Sequence, residues 1–163
     1  MSSIHGPAPI NIRRAVEMDA SSIRDLTCAA YEKWIAVLGR TPMPMLADYH
    51  RAVREHMVDL LFHGEVLAAL IETRSEADHL LILNVAVLPI LQKRGYGRRM
   101  LAHAEQLGSS LGFKELRLYT SKLYSANIAL YTRLGYCINR EEPFKGNFVV
   151  HMSKRIEARR WSG

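Results

Sequence analysis

Between Asn84 and Met100 an apolar run, Val85-Ala86-Val87, stops at Pro89; Gln92, Lys93, Arg94, Gly95, Tyr96, Gly97 and Arg98 follow as helical spacing begins. Two glycines this close let backbone amides approach a ligand. The first amides of a helix have no intrahelical acceptor and sit at the positive end of its dipole, which makes such a start an anion site suited to a pyrophosphate. Lys93, Arg94, Arg98 and Arg99 add four cations around it. Other phosphate loops do not fit. There is no G-x-x-x-x-G-K-[ST], and Met100 stands where the dinucleotide fingerprint needs its third glycine or alanine. Taken alone, G-x-G fits equally well a helix start where glycine only relieves crowding.

A second group lies on the next strand and short helix, where Leu116 to Thr120 lead into Asn127, Tyr131, Gly135 and Tyr136. Asn127 and Tyr131 are four apart and share one helical face. Together the two groups resemble the GNAT superfamily of N-acetyltransferases: Gln92 to Gly97 matches its acetyl-CoA motif Q/R-x-x-G-x-G/A, and Asn127 to Tyr136 matches its N-x-x-x-Y-x-x-x-G-[FY] pattern. The element order supports the resemblance from about Ile10 to Met152. It implies acetyl-CoA as co-substrate and transfer of the acetyl group to a primary amine by direct attack in a ternary complex. Val85, Ala86 and Val87 would pair their backbone with the pantetheine arm and aim an amide at the thioester carbonyl. The amides from Lys93 to Arg98 would wrap the pyrophosphate, Asn127 would bond the pantetheine, and Tyr131 would act as general acid beside the sulfur. A phenol of pKa about 10 can donate to a departing thiolate of pKa about 8.5. An alternative within the same resemblance is a non-catalytic acyl-CoA sensor or regulatory module.

Attack requires a neutral amine, and a lysine-like amine of pKa about 10.4 is neutral in only about one molecule per thousand near pH 7.4. Many members of the family therefore carry a glutamate on the strand before the cofactor loop or on the next one, but here those strands read Leu81-Ile82-Leu83-Asn84-Val85 and Leu116-Arg117-Leu118-Tyr119-Thr120. The candidates for a proton acceptor are Tyr119, Asp78, His79, Glu72 and His50; otherwise the acceptor amine itself has a low pKa. By the same resemblance Tyr31 to Tyr49 lines the acceptor side, with Trp34 and Tyr49 as core residues or as an apolar wall, and Glu32 and Asp48 as surface charges or amine attractors. The acceptor would be a small-molecule amine or a protein N-terminus. No metal is expected, because the seven histidines are scattered and no H-E-x-x-H occurs; a G-x-S-x-G elbow is also absent.

These groups need strands and helices to hold them. A strand fits Ile10 to Val16, with Asp19 as a helix N-cap, and a stripe from Ile23 to Leu38 reads as helix to Gly39. After two prolines, Tyr49, Val53, Met57 and Leu60 predict a second helix from about Leu46. Glu65–Thr73 and His79–Leu88 read as antiparallel strands around a turn, RSEAD. Gly95 to Leu111 reads as a helix, Lys114 to Thr120 as a strand, Ser125 to Leu134 as a short helix, and 136–139 and 147–153 as closing strands. The order is roughly β-α-α-β-β-β-α-β-α-β-β. The fold class is therefore α/β, an α+β mixture; the resemblance makes it a GNAT-like, mostly antiparallel sheet of about six to seven strands flanked by about four helices.

At 163 residues one domain is expected, with a core over 10–153 and tails at 1–9 and 156–163. A composition 48% hydrophobic and 23% charged excludes a disordered chain. The longest apolar run, Leu80 to Leu91, is too short to span a bilayer, and the N-terminus lacks a signal pattern. Cys28 and Cys137 form no C-x-x-C pair, so a cytoplasmic setting is expected. The net charge of +6 would suit nucleic acid, a membrane or a small polyanion. Four of its cations already flank the anion loop, so acetyl-CoA suffices, with no nucleic acid and no membrane. Edge strands near the C-terminus could pair in a homodimer.

Overall fold

The computed structural model of the chain describes residues 8–157. Its strands are β1 (Ile10–Arg14), β2 (Met57–His63), β3 (Val66–Ser75), β4 (Leu80–Val87), β5 (Glu115–Ser121), β6 (Cys137–Phe144) and β7 (Asn147–Arg155). Its α-helices are α1 (Ala20–Tyr31), α2 (Ile35–Leu38), α3 (Tyr49–Glu55), α4 (Tyr96–Ser110) and α5 (Ser125–Arg133), with a 3-10 turn carrying α1 into α2. The strands form one sheet in the order β1-β2-β3-β4-β5-β7-β6. Every neighbouring pair is antiparallel except β4 and β5, which run parallel.

The two faces of the sheet bury separate cores. Under α1 and α3, Ile23, Leu26 and Tyr49 pack on Leu60, Leu70 and Ala86. Under α4, Met100, Leu101 and Ala104 pack on Leu61, Ile71 and Leu116. Leu60 and Leu61 are both fully buried because strand alternation sends them to opposite faces. Each such side chain contributes roughly 1.5–3 kcal/mol by leaving water. Gly108 lets α4 come close to the sheet: a Cβ there would lie 2.7 Å from Ile156 Cδ1 and 3.3 Å from Leu116 Cδ2.

Three expectations are corrected. The helix predicted from Leu46 spans only Tyr49–Glu55; His56 turns extended (φ −118°, ψ 177°), and Met57 and Leu60 lie on β2. Asp19 occupies the N-cap position of α1 without capping it, since its carboxylate accepts from Val16 N–H and from Arg13. Arg74 and Ser75 extend β3 rather than opening the turn.

One irregularity opens the sheet. Along β3, Glu72 faces Asn84 but Thr73 faces Ile82, so Leu83 is an extra residue on β4. A bulge of this kind bends its strand and shifts the side-chain alternation by one. Leu80 and Ile82 accordingly join the α4 core, whereas Asn84 and Ala86 point to the α1 and α3 side. Pairing with β5 stops at the same place, reaching only from Leu80–Ile82 to Leu116–Leu118. Beyond the bulge the two strands diverge, and the sheet is open in its middle.

Candidate functional site

The open edge of β4 is the first part of the site. Leu88 N–H donates to Ala68 O on β3 at 2.8 Å. Alternation therefore turns the backbone groups of Ala86 toward β3 and those of Val85 and Val87 toward the divergence. Gln92 ties the following loop to this edge: its Nε2 donates to Val87 O at 3.2 Å, and its Oε1 accepts from Lys33 Nζ at 2.9 Å. Arg94 then lies between two left-handed residues, Lys93 at φ 64° and Gly95 at φ 87°. Gly95 is the N-cap of α4 and accepts from Arg99 N–H at 3.0 Å.

Chain neighbours aside, no heavy atom among the described residues lies within 4 Å of where a Gly95 Cβ would be, so the space over that Cβ is open. Lys93, Arg94, Arg98 and Arg99 are exposed and form no ion pair among the described residues. Tyr96, in contrast, turns inward, and its hydroxyl hydrogen-bonds His63 Nδ1 at 2.8 Å. It contributes its amide and a core ring, while its phenol is engaged elsewhere.

Helix α5 closes on this start. A Cβ at Gly97 would meet Val87 Cγ2 at 3.9 Å and Leu130 Cδ2 at 4.0 Å, so the ends of β4, α4 and α5 adjoin. Asn127 is half-buried on α5 with no hydrogen-bond partner among the described residues. Tyr131 packs against the same core as Val85 and Val87, with Tyr136 at 5.8 Å ring to ring. Burial pushes the Tyr131 phenol up to about 12.

On the other side of the opening is a cavity of about 380 Å³ between the α2–α3 segment and β3, β4 and β5. Leu38, Arg40, Met43 and Tyr49 line it from the first, Glu72 and Asn84 from the sheet. This is where Tyr31 to Tyr49 was expected to act. Trp34 does not reach the cavity and stacks on Tyr124 at 4.4 Å, packing α2 against the start of α5. Asp48 caps α3 by accepting from Arg51 N–H, and Glu32 is exposed.

Of the expected proton acceptors, Glu72 and Tyr119 line this cavity. His50 is exposed, and Asp78 pairs with His79 at 2.7 Å away from it. The sequence reading missed His56. It lines the cavity, and its Nδ1 bonds Glu72 Oε2 at 2.6 Å. A carboxylate accepts only, so Nδ1 carries a proton, and in the neutral ring Nε2 is then the nitrogen with the lone pair. Tyr31 joins the two regions: burial pushes its phenol well up, and the neighbouring phenols of Tyr131, Tyr49 and Tyr124 and the Glu72 carboxylate push it further. It therefore stands within electrostatic reach of both Tyr131 and Glu72. Among the described residues no cluster of three or more His, Cys, Asp or Glu could hold a metal ion, and no helix is long and apolar enough to cross a membrane.

The profile of the Acetyltransferase (GNAT) family matches residues 21–136. Among solved structures, the ribosomal-protein-S18-alanine N-acetyltransferase from Escherichia coli is similar at 21% identity and a TM-score of 0.71, over 94% of this chain and 98% of that one. The PaiA N-acetyltransferase from Thermoplasma acidophilum in complex with coenzyme A is 18% identical with a TM-score of 0.73, over 90% and 99%. A GNAT family acetyltransferase from Elizabethkingia anophelis with acetyl-CoA bound is 14% identical with a TM-score of 0.67, over 90% and 97%. At these identities the likeness is one of fold.

Proposed function

The chain belongs to the GNAT acetyltransferase family, and from that premise we propose that it transfers the acetyl group of acetyl-CoA to a primary amine held in the cavity beside Glu72. One observation carries this reading: the open edge of β4 joins a cation-rich helix start on one side to a cavity lined by Glu72 and His56 on the other. Acetyl-CoA supplies an activated thioester. Val85 and Val87 offer backbone amides along the edge, one of them for the developing oxyanion. The amides from Lys93 to Arg98 and the four cations take the phosphates. Asn127 offers an unpartnered amide to the pantetheine.

The acceptor nitrogen forms the new bond to the carbonyl carbon as the carbon–sulfur bond breaks. His56 Nε2, oriented by Glu72, receives the proton that the amine loses. Tyr131 faces the departing sulfur. With its phenol near 12, complete transfer to a thiolate of ordinary pKa, about 8.5, runs uphill by roughly 5 kcal/mol. Tyr131 therefore stabilises the thiolate as a hydrogen-bond donor, and water completes its protonation. A small-molecule amine suits the cavity, and a protein N-terminus is the other kind; the Escherichia coli protein is named for an alanine of ribosomal protein S18.

The test is thiol release from acetyl-CoA with a panel of amines, alongside a pH profile of kcat/KM for wild type and His56→Gln. Loss of the acidic limb in the variant, with kcat/KM down by on the order of 10²- to 10⁴-fold, supports His56 as the proton acceptor. An unchanged limb means that the amine, not the enzyme, sets it.

A further inference from the structure

Two residues that line the acceptor cavity carry buried polar atoms of opposite sense that no group among the described residues satisfies. Arg40 Nε is a donor without an acceptor, and Asn84 Oδ1 is an acceptor without a donor. The orientation of Asn84 follows from its neighbours. Tyr49 gives its hydroxyl proton to Pro44 O at 2.6 Å, so the Tyr49 oxygen accepts from Asn84 Nδ2 at 3.3 Å. Thr27 Oγ1 accepts from the same nitrogen at 3.2 Å. With the amide nitrogen engaged by this pair, Oδ1 is the atom left over.

Buried polar atoms are rarely left unpaired, and an orphan at a cavity wall marks a place for a ligand atom. The two orphans ask for different atoms. Asn84 Oδ1 asks for an N–H and shares its cavity with the Glu72 carboxylate and His56. Arg40 asks for an oxygen. The cavity's other arginine, Arg74, is already engaged, donating to Glu76 at 2.6 Å. Arg40 has no carboxylate partner among the described residues and lies over the Phe144 ring, 5.6 Å from its centroid. A guanidinium held on an aromatic face offers a preset fork of donors, which matches a carboxylate. The intervening wall is apolar, with Leu38, Met43, Leu46 and Val149. A cavity near 380 Å³ lies at the small end of the ligand range of roughly 300–1,000 Å³.

We infer that the acceptor is a small amino-carboxylate, a free amino acid, whose amine meets Asn84 and the His56–Glu72 pair and whose carboxylate meets Arg40. This rests on the acetyltransferase reading above and names its substrate class. A polycationic amine would place a charge against Arg40, and an amine without a carboxylate would leave Arg40 Nε unpaired.

The test measures thiol release from acetyl-CoA with paired acceptors: leucine against 3-methylbutylamine, phenylalanine against phenethylamine, and 5-aminopentanoate against butylamine. Wild type, Arg40→Ala and Arg40→Lys are compared, with acetyl-CoA binding followed separately by calorimetry. Taking each ratio between enzymes cancels the intrinsic reactivity of the amine. Wild type should favour the acid of at least one pair in kcat/KM. Arg40→Ala should remove that preference, by on the order of 10- to 100-fold and through KM. Should Arg40→Ala fold poorly, Arg40→Lys keeps the charge but not the fork, and a raised KM for the acid at an unchanged Tm carries the same conclusion. Equal use of acid and amine by wild type, or an equal loss on both in the variants, overturns the inference. If acetyl-CoA binds and no acid of the panel is acetylated, the acceptor class falls and the family reading stands. If acetyl-CoA does not bind, the acetyltransferase reading falls and this inference falls with it.

Discussion

In the proposed mechanism Tyr131 donates a hydrogen bond to the departing sulfur and His56 takes the proton of the amine, and the visibility of the two in the sequence differs for a physical reason. Asn127 and Tyr131 belong to one helix, so their spacing announces a shared face. His56, between α3 and β2, meets Glu72 on β3, and Arg40 meets Phe144 across most of the chain. No local periodicity records such pairs. Glu72 could be suspected from its type, but its histidine became visible only through the fold. Tyr131→Phe should lower kcat by on the order of 10²-fold or more while the affinity for CoA, read by calorimetry, changes little. Because burial holds the Tyr131 phenol near 12, it remains protonated throughout the working range. The wild-type profile should thus show no basic-limb loss traceable to Tyr131 below about pH 11; a limb that vanishes in Tyr131→Phe at lower pH would refute the donor role.

At the scale of elements, the glycine loop and the helix it opens were legible because glycine marks both, yet its two glycines have unequal structural tasks. Gly95 holds φ 87°, so Gly95→Ala should cost about 1–2 kcal/mol in urea unfolding and weaken CoA binding as well. Gly97 has ordinary helical backbone and room for a methyl group. Gly97→Ala should be neutral or stabilising, by up to about 1 kcal/mol. In the last turn of α4, Gly108→Ala forces a contact on Leu116 and Ile156 and should destabilise by about 1–3 kcal/mol. The strand read as helix, β2, failed for an identifiable reason. Its four central residues, Val58 to Leu61, are all buried, so it shows no alternation. Tyr49, Val53, Met57 and Leu60 meanwhile happen to fall at helical intervals across the break at His56. Burial on both faces erased the period that distinguishes a strand.

Across the whole molecule, Asp59 joins β2 to β1 and α4. It accepts from Arg14 Nε at 2.7 Å and lies 3.1 Å from His103 Nε2. Burial alone would push its carboxyl up, but the contacts with His103 and Arg14 outweigh burial and hold it below the ordinary value. A depressed folded-state pKa gives stability that is present above the unfolded value of about 3.9 and is lost as pH falls through the folded one. Thermal melts should therefore show Tm falling below about pH 4. Asp59→Asn should lower Tm at pH 7, and its deficit should shrink as pH falls below the ordinary carboxylate range; a deficit that does not change with pH would mean that the effect is one of packing. The bulge at Leu83 has a different kind of reach. The cleft exists because β4 carries one residue more than β3 can match, so the site is encoded as a count rather than as an identity. Leu83→Val preserves the count and should leave CoA binding intact. Deleting Leu83 changes no chemistry in the cleft and leaves Asn84 and Ile82 on their present faces, yet it restores regular pairing with β3, removes the bend and lets β4 zip further along β5. A lineage could exchange nearly every residue around this opening and keep it, but a single three-nucleotide deletion there would close it.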